Sequence, residues 1–206
     1  DISIGLSRCS NVLYVDSEHL SCVIPPGVGL NTPVVISTGT KYSRSFPLSY
    51  AFPSLWSITP LDSGCIASAD GLQLTGCNRV GGARIRILGS NFGASNAKVL
   101  LGNDLCDNVV HNPTNLHGDL SCTIRAGFRE FLAVIVVQNG GELSIDSENT
   151  DPLNQKVSLS YAKCNPGSYS LTNVSCTLCD KGKYASVFGQ TGCNDCPAGT
   201  FASDTG

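Results

Sequence analysis

Eleven cysteines in 206 residues are the side chains with the strongest claim to chemistry. Four of them, Cys176-x2-Cys179-x13-Cys193-x2-Cys196, carry the spacing of a zinc ribbon, in which two Cys-x-x-Cys knuckles hold one tetrahedral ion. A second pattern crosses the same stretch in a different phase. Cys-x-x-Gly-x-(Tyr/Phe) occurs at Cys164-Asn-Pro-Gly167-Ser-Tyr169, Cys179-Asp-Lys-Gly182-Lys-Tyr184 and Cys196-Pro-Ala-Gly199-Thr-Phe201. In that phase each Cys-x-x-Cys straddles the boundary between two modules, and a ribbon leaves Cys164 without a role. Modules this poor in apolar residues need covalent staples to fold. Disulfides of that kind persist in an oxidising compartment. The pattern therefore favours disulfides over zinc and an extracellular location, with no metal or cofactor expected.

Nucleophilic catalysis fits the remaining residues poorly. The three histidines are His19, beside a Leu-Ser-Cys strand, and His111 and His117, in the loop before the matching strand. His117, Asp119 and Ser121 lie within five positions, and such neighbours on one strand do not converge on a point. No Gly-x-Ser-x-Gly elbow, His-Glu-x-x-His or P-loop is present. Gly81-Gly82 precedes a strand and reads as a turn rather than a phosphate cradle. Asp146, Glu148 and Asp151 cluster without EF-hand spacing, so a solvated loop is preferred to a calcium site. Asn173-Val-Ser175 is a glycosylation sequon, whereas proline disqualifies Asn112-Pro-Thr. The net charge of −3 and the absence of a basic stripe argue against nucleic acid. The longest apolar run, residues 131–137, has seven residues where a span needs about 20, so it reads as a buried strand. The expectation is a protein that is not an enzyme.

Stepwise repetition shows what must hold these residues. Gly5-x3-Cys9-x-Asn11-Val12 matches Gly102-x3-Cys106-x-Asn108-Val109, and Leu20-Ser-Cys22-x-Ile24-x-x-Gly27 matches Leu120-Ser-Cys122-x-Ile124-x-x-Gly127. Leu48-Ser-Tyr50 matches Leu159-Ser-Tyr161. The offset grows from 97 to 100 to 111 residues, as it does when loops lengthen between conserved strands. Only the second copy has a first half: residues 53–60 are extended, and residues 83–88 alternate Ile85 and Ile87 against Arg84 and Arg86. No segment shows helical periodicity. Residues 1–52 thus read as the C-terminal half of one sandwich, 53–162 as a complete one with a stapled insert at 62–81, and 163–206 as cysteine-rich repeats. On that reading the chain opens partway through a domain and ends partway through a module, which leaves Cys196 unpaired by truncation. Linkers at 50–53 and 161–164 are too short to flex freely, which favours a stiff rod.

The segments PSLWSITP, GGARIRILGSNFG, VLLGNDLCDNV, LSCTI, VIVV and VSLSYA together resemble the IPT/TIG immunoglobulin-like domain of plexins, growth-factor receptors and Rel-type transcription factors. The resemblance runs through 53–162, and its second half recurs at 1–52. The tail is similar to ephrin-receptor-like, EGF/TNF-receptor-like cysteine-rich repeats. Two places depart from the IPT pattern: the insert with Cys65 and Cys77, and the polar stretch 138–154. The resemblance implies an all-β fold of tandem immunoglobulin-like β-sandwiches plus a small disulfide-rich array. Connectivity is not fixed by sequence alone. The correspondence of the copies favours Cys9 with Cys22 and Cys106 with Cys122, then Cys65 with Cys77, Cys164 with Cys176 and Cys179 with Cys193. Trp56, Ile58, Ile85, Ile87, Phe92, Val134, Val136 and Tyr161 are the expected core or junction residues. The function so implied is an extracellular structural or adhesive segment of a large surface or filament-forming glycoprotein, binding other proteins or copies of itself. The alternative is the ligand-binding ectodomain of a plexin-like receptor. Rel-type DNA binding conflicts with the charge and the tail.

Overall fold

The computed structural model describes residues 1–144, 156–171 and 174–205. Among them there is no helix, and the order is strand after strand. Short alternating runs separated by Gly, Asn and Pro leave no stretch in which a 3.6-residue period could bury one face.

Residues 53–162 fold as a two-sheet sandwich. One sheet orders Asp107–His111, Asp119–Thr123, Arg84–Ser90 and Ser54–Pro60, all antiparallel. The other orders Asp104–Leu105, Lys98–Leu101, Leu132–Val137, Ser158–Tyr161, Gln73–Cys77 and Ile66–Ala67. Gln73–Cys77 lies parallel to Ser158–Tyr161 there. Ile58, Ile85, Ile87, Phe92, Leu120, Val134 and Val136 are wholly buried between the sheets, and Tyr161 closes one end of the core.

Trp56 is the exception: it is 62% exposed, against the expectation that it packs inside. The pairing explains why. Leu88 faces Ser57 and Gly89 faces Leu55, so Trp56 is an extra residue with no partner. A one-residue bulge inverts the alternation beyond it, turning Leu55 toward the core and Trp56 to solvent. Phe131 also departs from expectation. The strand begins at Leu132, and Phe131 sits outside it, largely exposed, with φ 54°.

Residues 1–52 repeat half of this arrangement in detail. Ile2–Ile4 and Thr32–Thr38 pair as Lys98–Leu101 and Leu132–Val137 do, with Phe46–Leu48 on the far side. Ser10–Tyr14 pairs with Leu20–Val23 through a bulge centred on Asn11, φ 50°, as Asp107–His111 and Asp119–Thr123 do around Asn108, φ 52°. Asn tolerates this left-handed backbone, which explains its recurrence at the same step. The Tyr50 hydroxyl donates to the Pro25 carbonyl at 3.0 Å and the Tyr161 hydroxyl to the Arg125 carbonyl at 2.6 Å. Each ring lies over a glycine: a Cβ on Gly27 or Gly127 would come within 2.3 Å of it. Nothing in the first unit corresponds to Ser54–Pro60, Ile66–Ala67, Gln73–Cys77 or Arg84–Ser90.

The tail is a ladder of like turns. Gly167, Gly182 and Gly199 share φ near 80° (84°, 79° and 84°), each in a turn closed by the N–H of the following residue, with Ser168 donating to Asn165, Lys183 to Asp180 and Thr200 to Pro197. Successive modules are bonded alike. Gly167 N–H donates to Ala185 and Gly182 N–H to Ala202, while Cys179 N–H donates to Gly167 and Cys196 N–H to Gly182. Such quasi-periodic stacking lets each unit lean only on its neighbours.

Candidate functional site

One concavity lies within the first unit. A groove of about 880 Å³ separates the Ser10–Tyr14/Leu20–Val23 hairpin from the sheet built on Thr32–Thr38. Its apolar lining includes Ile2, Ile4, Leu20, Ile24, Val34 and Ile36. These correspond to Val99, Leu101, Leu120, Ile124, Val134 and Val136, every one of them buried in the complete sandwich. In the first unit Leu20 and Ile24 are 41% and 50% exposed. The strand edge is open as well. Asp119–Thr123 is paired on both sides, by Asp107–His111 and Arg84–Ser90, whereas Leu20–Val23 is paired only by Ser10–Tyr14 among the described residues. Asp16 and Glu18 stand on the lip, with Asp16 accepting from the Glu18 N–H at 2.8 Å and contacting His19 Nδ1 at 2.8 Å. These bonds, the Glu18 N–H first, hold the Asp16 carboxyl below the usual carboxylate range.

The two junctions are braced by side chains. Between the units, Gln138 is 3% exposed and its amide donates to the Ala51 carbonyl at 3.1 Å and to the Asn91 carbonyl. Asn91 donates in turn to the Phe52 carbonyl at 3.1 Å, and Pro53 is fully buried. Close packing crosses the joint. A Cβ on Gly93 would come within 2.8 Å of the Val28 side chain, and one on Gly140 within 3.2 Å of the Gly29 Cα.

Arg79, at the end of the insert stapled by Cys65–Cys77, reaches into the tail. Its Nε donates to the Val174 carbonyl at 2.6 Å, Nη2 to Ser170 Oγ at 2.8 Å and Nη1 to the Ala162 carbonyl at 3.1 Å. The guanidinium also lies 6.0 Å from the centroid of the Phe128 ring. Partial burial lowers its pKa from the ordinary arginine value, and these oxygen acceptors suit a cation. Lys163 and Glu130 add an ion pair at 3.1 Å, and Ala162 N–H donates to Cys77.

The structure pairs Cys9–Cys22, Cys65–Cys77, Cys106–Cys122, Cys164–Cys176 and Cys179–Cys193, and Cys196 is a free thiol. Three of the four ribbon-spaced cysteines are thus committed to two different bridges. No cluster of three His, Cys, Asp or Glu side chains suited to a metal occurs among the described residues. His111 ends a strand instead of lying in the following loop. It accepts the Ala97 N–H at Nε2, which leaves Nδ1 to donate to the Leu116 carbonyl at 2.7 Å. Asp119 is buried and gripped by Arg86 at 2.7 and 2.9 Å and by Asn112 at 2.6 Å, so it has no free oxygen to orient His117. The Arg86 bonds chiefly hold its carboxyl below the usual range. Asn173 and the acidic residues Asp146, Glu148 and Asp151 lie outside the described residues. Arg79 and Gln138 were not singled out from sequence. The one signal was position, since each stands at an edge of the segments that depart from the IPT pattern.

Comparison with known proteins divides the chain in the same order. Residues 72–154 match the IPT/TIG domain family, and residues 167–206 match the family described as tyrosine-protein kinase ephrin type A/B receptor-like. The chain is all-β and carries an immunoglobulin-like TIG domain followed by an ephrin-receptor-like cysteine-rich module. No curated protein and no solved structure matches it. Among the described residues no helix is long and apolar enough to cross a membrane.

Proposed function

We propose that this chain is a non-enzymatic extracellular segment that sets a distance, joining stiff β-modules into a spacer that presents its edges and loops to protein partners. The TIG and ephrin-receptor-like families support a receptor-type or adhesive setting, and five disulfides suit an oxidising compartment. What carries the reading is that both junctions are held by buried or charge-assisted hydrogen bonds. Free linkers would leave relative motion as the default. Gln138 satisfies two carbonyls at one joint, and Arg79 satisfies three acceptors at the other. A polar group buried in that way resists exposure only while the joint stays closed. Small-angle X-ray scattering of the intact chain tests this. A spacer gives one elongated envelope that is unchanged between low and high salt. A scattering curve that needs a broad ensemble of bent forms contradicts it.

The second reading, a ligand-binding ectodomain of a plexin-like receptor, is favoured by the same two family matches. It needs the groove or the non-family loops to bind a soluble partner. A spacer needs only lateral or end-to-end contacts.

A further inference from the structure

The turn that carries Gln138 brings a carboxylate to the same joint. Val137 and Leu143 form a bridge, the Gln138 N–H donates to the Glu142 carbonyl at 2.8 Å, and the Ser144 N–H donates to Val136 at 2.7 Å. Residues opposite one another on antiparallel strands project to one face, so Val136, Gln138, Glu142 and Ser144 share a side. Val136 and Ser144 are buried, which makes that side the inner one. The Glu142 side chain folds inward with them. A Cβ on Gly140 would come within 2.4 Å of Glu142 Oε2 and within 3.2 Å of the Gly29 Cα, so the carboxylate lies beneath the turn, against the first unit.

Two oxygens on this face have no donor. Gln138 is 3% exposed, and its Oε1 and Glu142 Oε2 are both buried without a hydrogen-bond partner among the described residues. Rotating the Gln138 amide does not cure this. Its nitrogen already donates to the Ala51 and Asn91 carbonyls, and an oxygen put there would face two acceptors. Among the described residues no lysine or arginine forms an ion pair with Glu142. A carboxylate oxygen shut from water with neither donor nor counter-charge is costly, and a bound cation removes that cost.

We propose that Gln138 Oε1 and Glu142 Oε2 are two ligands of a calcium ion at the joint between the first unit and the complete sandwich. Both are hard oxygen donors, and no sulfur or imidazole accompanies them, which selects calcium, magnesium or sodium over zinc or copper. Magnesium demands near-ideal octahedral geometry, which one carboxylate and one amide on a turn do not impose. Calcium accepts irregular sets of six to eight oxygens, with water in the remaining positions. A divalent ion also attracts Glu142 about twice as strongly as sodium does at the same distance. One carboxylate places the affinity at the weak end, with Kd on the order of 1 mM, as in extracellular modules. The inference goes beyond the spacer reading and does not rest on it, since both ligands stand on one turn whether the joint is stiff or loose.

Calcium titrated into the full chain at constant ionic strength tests the site, followed by amide chemical shifts and by denaturant unfolding. The amides of residues 138–144, Gly29 and Ala51 are expected to shift along one saturating curve with a midpoint on the order of 1 mM. At about ten times that midpoint the unfolding equilibrium constant is expected to fall about elevenfold. Glu142→Gln keeps the shape of the side chain, removes its charge and is expected to abolish both responses. Asp146→Asn, Glu148→Gln and Asp151→Asn together are expected to leave both in place. Magnesium is expected to need at least about tenfold higher concentration. Absence of any calcium-dependent shift overturns the site. A response that survives Glu142→Gln, or that vanishes with the three acidic replacements, puts the ion elsewhere and overturns the assignment. An equal response to magnesium overturns the choice of calcium.

Discussion

Replacing Arg79 by alanine removes the hydrogen bonds that tie the insert of the complete sandwich to the cysteine-rich tail. Its bonds to Val174 and Ser170 cross into the tail, and its bond to the Ala162 carbonyl holds the connection. A net ~1 kcal/mol for each crossing bond, below the 1.5–3 typical of charged partners because the side chain is partly solvated, gives about 2 kcal/mol. That corresponds to roughly a thirty-fold rise in the population with the tail undocked. The Lys163–Glu130 pair at 3.1 Å remains, so the joint loosens without coming apart. Hydrogen exchange at the Ala162 amide reads the change, with the Ile85 and Ile87 amides as the internal measure of an intact sandwich. Exchange at Ala162 should rise by about one to two orders of magnitude while the core amides hold. Arg79→Lys should behave more like alanine than like arginine, because one ammonium cannot reproduce the fork. Unchanged exchange at Ala162 in the alanine variant would refute the claim that Arg79 braces the junction.

Other outcomes follow from the same geometry. Ile58→Ala should cost ~2–5 kcal/mol on denaturant unfolding, whereas Trp56→Ala, two residues away, should stay within about 0.5 kcal/mol, since the bulge turns it to solvent. Asp119 has a lowered pKa in the folded chain, so its contribution is complete above the unfolded carboxyl value near 4 and is lost as pH falls through the folded value. Arg86→Leu should therefore flatten the acid limb of a stability–pH curve. Tyr161 is pushed up to about 12 by burial and then by Asp104, so its contribution is present below about 10 and is lost as pH rises toward 12. Tyr161→Phe should remove that alkaline loss and cost about 0.5–1.5 kcal/mol at neutral pH through the Arg125 carbonyl bond. Thiol titration of the native chain should find one free cysteine, Cys196, and two or more would contradict the pairing seen here.

Much of this architecture was legible in the sequence because the chain states it twice. Matched Gly-x3-Cys-x-Asn blocks aligned the two copies, and alternation over residues 83–88 located the strand that carries Ile85 and Ile87. Alternation failed at Trp56 because a single bulged residue reverses which face a side chain takes, and nothing in its type marks a bulge. The run 131–137 hid a similar break. Its first residue, Phe131, takes the left-handed conformation that Asn31 takes at the matching step, and its N–H donates to Ser160 as that of Asn31 does to Ser49. The braces were the least legible part. Arg79 and Gln138 act across distances of 91 and 87 residues, to Ser170 and Ala51, and local pattern has no term for contacts of that range. The resemblance assigned neither a role, because both stand within the two segments that depart from the IPT pattern.

Pulsed electron paramagnetic resonance between spin labels at exposed Ser43 in the first unit and Ser203 in the tail measures the span across both junctions at once. The five disulfides and Cys196 require labels attached through an unnatural amino acid rather than through thiols. A stiff spacer gives one narrow distance distribution that broadens in Arg79→Ala and Gln138→Ala. A broad distribution in the unaltered chain, insensitive to either substitution, would contradict the account.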